Sequence, residues 1–225
     1  MKRTKLADRE LPDYNRGEEI MNMVTHIVGG ALGIAILVLC VVFSALKHSP
    51  RLVVGSAVYG TSVVTLYTMS SIYHGLKISM AKKVFQVIDH CMIFFMICGT
   101  YTPLVLGPIM DYSRAWGWGM FGFVWGVSAT VCTFTAIDWK KYNLISMLGY
   151  ILVGWCIVFA GKITLIAIGH DAFKWLLYGG VAYMIGVILY GLGVKIRYMH
   201  SVFHIFIVLG SILQFFGIFF FVILK

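Results

Sequence analysis

Two histidines four residues apart, His200 and His204, open the last long apolar run of the chain. On a helix that spacing stacks both imidazoles on one face, the geometry in which two ligands from one element meet a metal ion. The intervening Ser201-Val202-Phe203 lacks the glutamate of an HExxH motif, so a base for hydrolytic chemistry must come from another part of the chain. Two other places offer partners: Ser70 and His74 share a helix face at the end of one apolar run, and Asp89 lies six residues beyond Lys83 in the next. Three imidazoles and a carboxylate form a donor set suited to Zn²⁺, with an open position typical of catalytic sites. In that arrangement Asp89 either ligates the metal or holds its water as a general base, and Ser70 is placed to hold water or a substrate oxygen. Plainer roles exist for each residue alone: a histidine that only packs and hydrogen-bonds, an aspartate that caps its helix or pairs with Lys83. The combination points to a metal.

Near the start of the chain Glu19, Asn22 and His26 recur at intervals of three and four, a polar stripe on an otherwise apolar helix. It serves either as an outer layer that orients a ligand or as a capping and packing cluster. His90 projects about 100° around the helix from Asp89 and reads as structural. Gln214 reads as an interhelical hydrogen bond.

The elements that must position these groups follow from composition. The 225 residues are 60% hydrophobic and 12% charged, whereas soluble domains run at about 45–50% and 25%. This is too little polar surface for a water-soluble globule, so the chain reads as an all-α integral membrane protein. The net charge of +9 comes from basic residues lying between apolar runs, without the clustered face of a nucleic-acid site, and no nucleic-acid partner is expected. The five cysteines lie inside apolar runs without a CxxC pair and read as buried small hydrophobes that form no disulfides. Residues 1–17 are polar and the first apolar run exceeds a signal h-region, so the first helix is expected to stay.

With about 20 apolar residues needed per span, seven helices are expected at roughly 20–46, 52–75, 84–107, 115–136, 143–168, 174–193 and 201–224. A tail, 1–19, precedes a single transmembrane domain, 20–225. Of the 18 Lys and Arg, 12 fall on the side of the N-terminal tail, and the positive-inside rule then puts the N-terminus in the cytoplasm and the C-terminus outside. His74, Asp89, His200 and His204 all fall within about 10 Å of that cytoplasmic boundary at 1.5 Å per residue, so three helices bring them to one layer. Ionisable groups at such a depth are costly and mark function. Lys162 interrupts the fifth span, which either ends near Gly161 or continues with Lys162 reaching outward. Pro103 marks a kink or end of the third helix. Trp116, Trp118, Trp139 and Trp175 fall near span ends, as interfacial anchors do.

The set Glu19-x-x-Asn22-x-x-x-His26, Ser70-x-x-x-His74, Asp89 followed by Gly99-Thr100-Tyr101-Thr102-Pro103, and His200-x-x-x-His204 resembles the hemolysin III family, the bacterial branch of the progestin and adipoQ receptor (PAQR) superfamily. The resemblance implies a seven-helix, N-inside fold with zinc near the cytoplasmic side, held by His74, His200 and His204, and reached by Asp89 through water. It also implies residence in the bacterial inner membrane. Function transfers less directly than fold. The leading expectation is a zinc-dependent, ceramidase-like hydrolase of a membrane lipid amide or ester, with Asp89 and Ser70 as its catalytic groups. Beside it stand a non-enzymatic membrane sensor with structural zinc and a pore-forming cytolysin.

Overall fold

A computed structural model describes residues 4–225; Lys2 and Arg3, counted above among the basic residues of the tail, lie outside them. The described chain is helical, in the order α1 (Arg16–Leu46), α2 (Pro50–Gly75), α3 (Met80–Leu104), α4 (Arg114–Gly154), α5 (Gly161–Ile168), α6 (His170–Leu192) and α7 (Met199–Ile218). Helical turns at Val105–Tyr112 and Cys156–Phe159 extend α3 and α4, and a wider turn, Phe219–Ile223, extends α7. Among the described residues six helices are long and apolar enough to cross a membrane.

Local chemistry sets the boundaries. Asn15 begins α1 with a complete capping box: its side chain accepts from the Glu18 amide, and Glu18 accepts from the Asn15 amide. Pro50 stands at the first position of α2, where its missing N–H costs nothing. Ser79 caps α3 by accepting from the Lys82 amide. Pro103 lies one residue before the end of α3, and the chain then passes through the non-helical Gly107, followed by Pro108.

Two of the expected spans, 115–136 and 143–168, meet in α4. Its 41 residues would measure about 61 Å if straight, twice the hydrocarbon thickness of a bilayer. The helix is broken at Asp138 (φ −159°, ψ 89°) and again at Tyr142. Asp138 accepts from the amide of Lys141, three residues on, which starts a new helix as an N-cap does. Contacts with α3 show the chain turning back there. Before the break, Cys91 meets Cys132, Cys98 meets Val124 and Thr102 meets Trp125. After it the order reverses, with His90 on Trp139, Phe94 on Tyr150, and Tyr101 on Gly154. Trp139 is thus turned inward on His90, not outward as an interfacial anchor. The second half stops at Gly161, whose φ of +43° suits glycine, and Lys162 is an exposed residue in the first turn of α5.

The bundle is tightest where α1 packs on α2, α2 on α3 and α6 on α7. All five cysteines are free. Residues 4–15 lie across the end of the bundle at which α1 begins. The Thr4 amide donates to Asp138, an Arg9 N–H donates to the Ile137 carbonyl, and Arg197 pairs with Asp13.

Candidate metal centre

The last turn of α2 and the first two turns of α7 meet at the end of the bundle where α1 begins. They bring His74, His200 and His204, all buried, to a single point, with one ligand nitrogen of each within 4.8 Å of the others. The Nε2 atoms of His200 and His204 are 3.0 Å apart. Tetrahedral nitrogens at the usual zinc distance of about 2.0–2.1 Å would lie about 3.3 Å apart, so this pair is spaced for a shared ion. His74 supplies the third donor: its Nδ1 lies 2.7 Å from Glu19 Oε2 and 3.4 Å from Asn22 Nδ2, while its buried Nε2 has no partner among the described residues. A histidine held at one nitrogen with the other left open is the usual arrangement of a metal ligand. A buried polar atom without a partner is otherwise costly. The donor set therefore fits a metal ion.

Around the three rings the polar stripe of α1 takes distinct places. Glu19 and Asn22 meet His74, and the ring of His26 lies 3.9 Å from that of His204, with both of its nitrogens buried and unpartnered among the described residues. Ser70 is buried one turn before His74, its hydroxyl also without a partner. Beside the rings begins a cavity of about 250 Å³, whose wall includes His26, Ser70, Asp89, His200 and His204. Asp89 thus faces the same space but stands outside the cluster of three nitrogen donors. Neither of its plainer roles is realised: Ser79 caps α3, and Lys83 donates instead to the carbonyl of Ala7. The lining continues along α3 from Gln86 to Leu104, about 27 Å of helix. The far side is formed by the second half of α4 (Met147, Tyr150, Ile151) and by α6 (Gly180, Met184, Val187). His90, half-buried in the same wall, meets the Gln86 carbonyl at 2.7 Å through its Nδ1. Gln214 makes no interhelical hydrogen bond among the described residues; it lines the cavity and packs its stem over Gly179.

The family model described as "Haemolysin-III related" matches residues 14–215. The chain belongs to the haemolysin III family. It is 32% identical over 204 residues to the Hemolysin-3 homolog of Bacillus subtilis (strain 168), covering 91% of this chain and 94% of that protein. It is 31% identical over 210 residues to Hemolysin-3 of Bacillus cereus, covering 92% of each. The human Monocyte to macrophage differentiation factor, 23% identical over 173 residues covering 72% of this chain and 67% of that protein, links the family to the wider PAQR superfamily. Family and apolar helices together make this a membrane protein.

Three further groups in this haemolysin III chain carry weight in the structure. Glu18 accepts from the amide of Tyr198 at 2.7 Å and from Arg197 at 3.1 Å, and so ties the start of α1 to the turn before His200. Tyr198 there is left-handed at φ +64°, a strained geometry that the Glu18 bond helps to hold. The ion pair with Glu18 also raises the Arg197 pKa further above its ordinary value. The Asn15-x-x-Glu18 spacing of a capping box was a visible signal for Glu18. Tyr14 stacks on His200 with ring centroids 4.8 Å apart. Burial holds its phenol well above the usual tyrosine range. Lys82, one of several basic residues marking a membrane boundary, is buried against Glu19. Nothing in the sequence distinguishes either residue.

Proposed function

We propose that this chain is a zinc-binding, seven-helix protein of the bacterial inner membrane that hydrolyses an amide or ester bond of a membrane lipid. Reading α4 as two spans that turn at Asp138 gives seven helices, and an odd number puts the termini on opposite sides. The charge bias then favours an N-terminus in the cytoplasm and a C-terminus outside. The observation that carries the reading is the convergence of three buried imidazoles at one end of a long apolar cavity whose wall also holds Ser70 and Asp89.

Three neutral imidazoles favour zinc over harder cations such as Mg²⁺ or Ca²⁺. Zinc in that place supplies Lewis acidity to a carbonyl and to water. The chain's own residues do the rest. Asp89, without a hydrogen bond among the described residues, is free to take a proton from attacking water and return it to the leaving amine or alcohol. The Ser70 hydroxyl donates to an oxygen of substrate or water beside His74. Glu19 and Asn22 hold the His74 ring. The apolar wall along α3, α4 and α6 takes the hydrocarbon chain, which enters sideways between α4 and α6, two helices that barely approach each other.

The test is metal analysis of the wild type beside His74→Ala, followed by a lipid-hydrolysis screen on the same samples. Fatty acid release that requires both zinc and His74 is expected; turnover that persists after zinc is stripped defeats the reading. A structural role, in which zinc clips α2 to α7, is favoured by the placement of its ligands on those two helices. Its signature is a protein that loses thermal stability without zinc and turns over no lipid. The cytolysin suggested by the relatives' printed names ranks third, because apolar helices joined by short loops suit residence in the producing cell's membrane. Leakage of liposomes exposed to the pure protein would revive it.

A further inference from the structure

Lys82 occupies an unfavourable position. It lies in the first turn of α3, where the positive end of the helix dipole opposes a cation, and its side chain is only 4% exposed. A buried ammonium costs several kcal/mol unless other groups compensate it, and three groups here do so. The Nζ is 2.7 Å from Glu19 Oε1 and 2.9 Å from the Leu76 carbonyl at the end of α2, and it lies 5.0 Å from the ring centroid of Tyr73. Its sequence neighbour Lys83 reaches the Ala7 carbonyl instead.

The geometry of Glu19 gives the pairing a purpose. One carboxylate oxygen is held by Lys82 and the other lies 2.7 Å from His74 Nδ1. Glu19 sits in the first turn of α1 and is 20% exposed, so a carboxylate held at only one oxygen has solvent and several rotamers open to it. Held at both, it fixes the plane of the His74 ring. The bonds Leu76–Lys82–Glu19–His74 join the end of α2, the start of α3 and the start of α1 behind a single imidazole. The opposite nitrogen of that imidazole is the unpartnered Nε2.

We propose that Lys82 is a positioning residue of the metal centre: by holding one oxygen of Glu19 it makes the other fix His74, with Nε2 directed toward His200 and His204. The inference rests on the metal-site reading above and adds to it a residue that touches no ligand.

Zinc affinity, measured by chelator competition, and the visible spectrum of the Co²⁺-substituted protein test it on the full chain in detergent. Lys82→Met is expected to weaken zinc binding about 10–100-fold, the range typical of lost outer-layer partners, and to shift the Co²⁺ bands. Lys82→Arg, which keeps the cation, recovers most of the affinity, and Lys83→Met leaves it unchanged. Because Lys82 acts through Glu19, Lys82→Met/Glu19→Gln binds no more weakly than Glu19→Gln alone. If Lys82→Met does not fold, Lys82→Gln is read in its place. Affinity within twofold of wild type in the lysine variant overturns the proposal, as do fully additive effects in the double variant. A wild type that binds no stoichiometric metal overturns the metal-site reading and this proposal together, whereas a metal-binding wild type with an indifferent Lys82 overturns this one alone.

Discussion

The α1–α2–α3 crossings and the gap between α4 and α6 are packed in opposite ways. Where α2 crosses α3, a methyl group on Gly55 would lie 2.7 Å from the Cα of Pro103, and where α1 crosses α2, a methyl on Gly29 would lie 2.9 Å from the ring of Tyr67. On α4 the buried Gly117 and Gly149 are met about as closely, by Met110 and Val131, whereas Gly119, Gly122, Gly126 and Gly154 have nothing within 4 Å of the same position. In a membrane, where apolar burial gives little drive to helix association, close approach over small residues supplies much of the packing energy. The α1–α2–α3 side is thereby a rigid frame. Between α4 and α6 the bundle stands off and leaves space, although α6 itself packs closely on α7. The proposed metal centre needs the first and the proposed lipid substrate needs the second, and the candidate site lies where the two meet.

Four measurements break or sharpen this contrast. Removing a metal donor has the largest effect: His204→Ala is expected to cost more than the roughly 100-fold in zinc affinity that marks an outer partner, and metal content by elemental analysis falls to near zero. Crowding a frame crossing comes next. Gly55→Val is expected to destabilise the protein by about 1–3 kcal/mol, the usual cost of overpacking, read as a lower unfolding temperature in detergent. An unchanged temperature would mean that the frame is not close-packed. Filling the cavity separates the two sides. Gly180 faces the cavity, its nearest neighbour, the Trp155 ring, 3.9 Å from a built methyl. Gly180→Leu is expected to lower lipid turnover roughly tenfold, the scale of a misfitted apolar pocket, with zinc affinity unaltered. Loss of metal in that variant would show the two sides to be coupled. The smallest effect belongs to the open helix: Gly122→Ala changes stability by no more than about 0.5 kcal/mol.

Much of the site was legible because it rests on helical spacing. His200 and His204 four residues apart, Ser70 and His74 likewise, and the Glu19, Asn22, His26 stripe need only the 3.6-residue period to be placed on single faces. The alternation of successive spans then puts these helix ends together at one end of the bundle. Gln214 went astray because spacing cannot tell a polar group that meets a partner from one that faces a cavity. Trp139 went astray because it follows the break at Asp138, where the chain turns back and brings the ring onto His90.

What the sequence determined by itself is the class of molecule, the approximate spans and the residue types gathered in one layer, since all three follow from local hydropathy and period. The tertiary structure alone decided which atoms meet. Asp89 proved to face the cavity outside the three-nitrogen cluster, Glu19 to divide its oxygens between His74 and Lys82, and Tyr14 to stack on His200. These outcomes depend on how far each helix is rotated and how closely it approaches its neighbours. Rotation and approach are set by small residues at the crossings and by a left-handed turn at Tyr198, and their geometric result appears only when all the helices are packed at once.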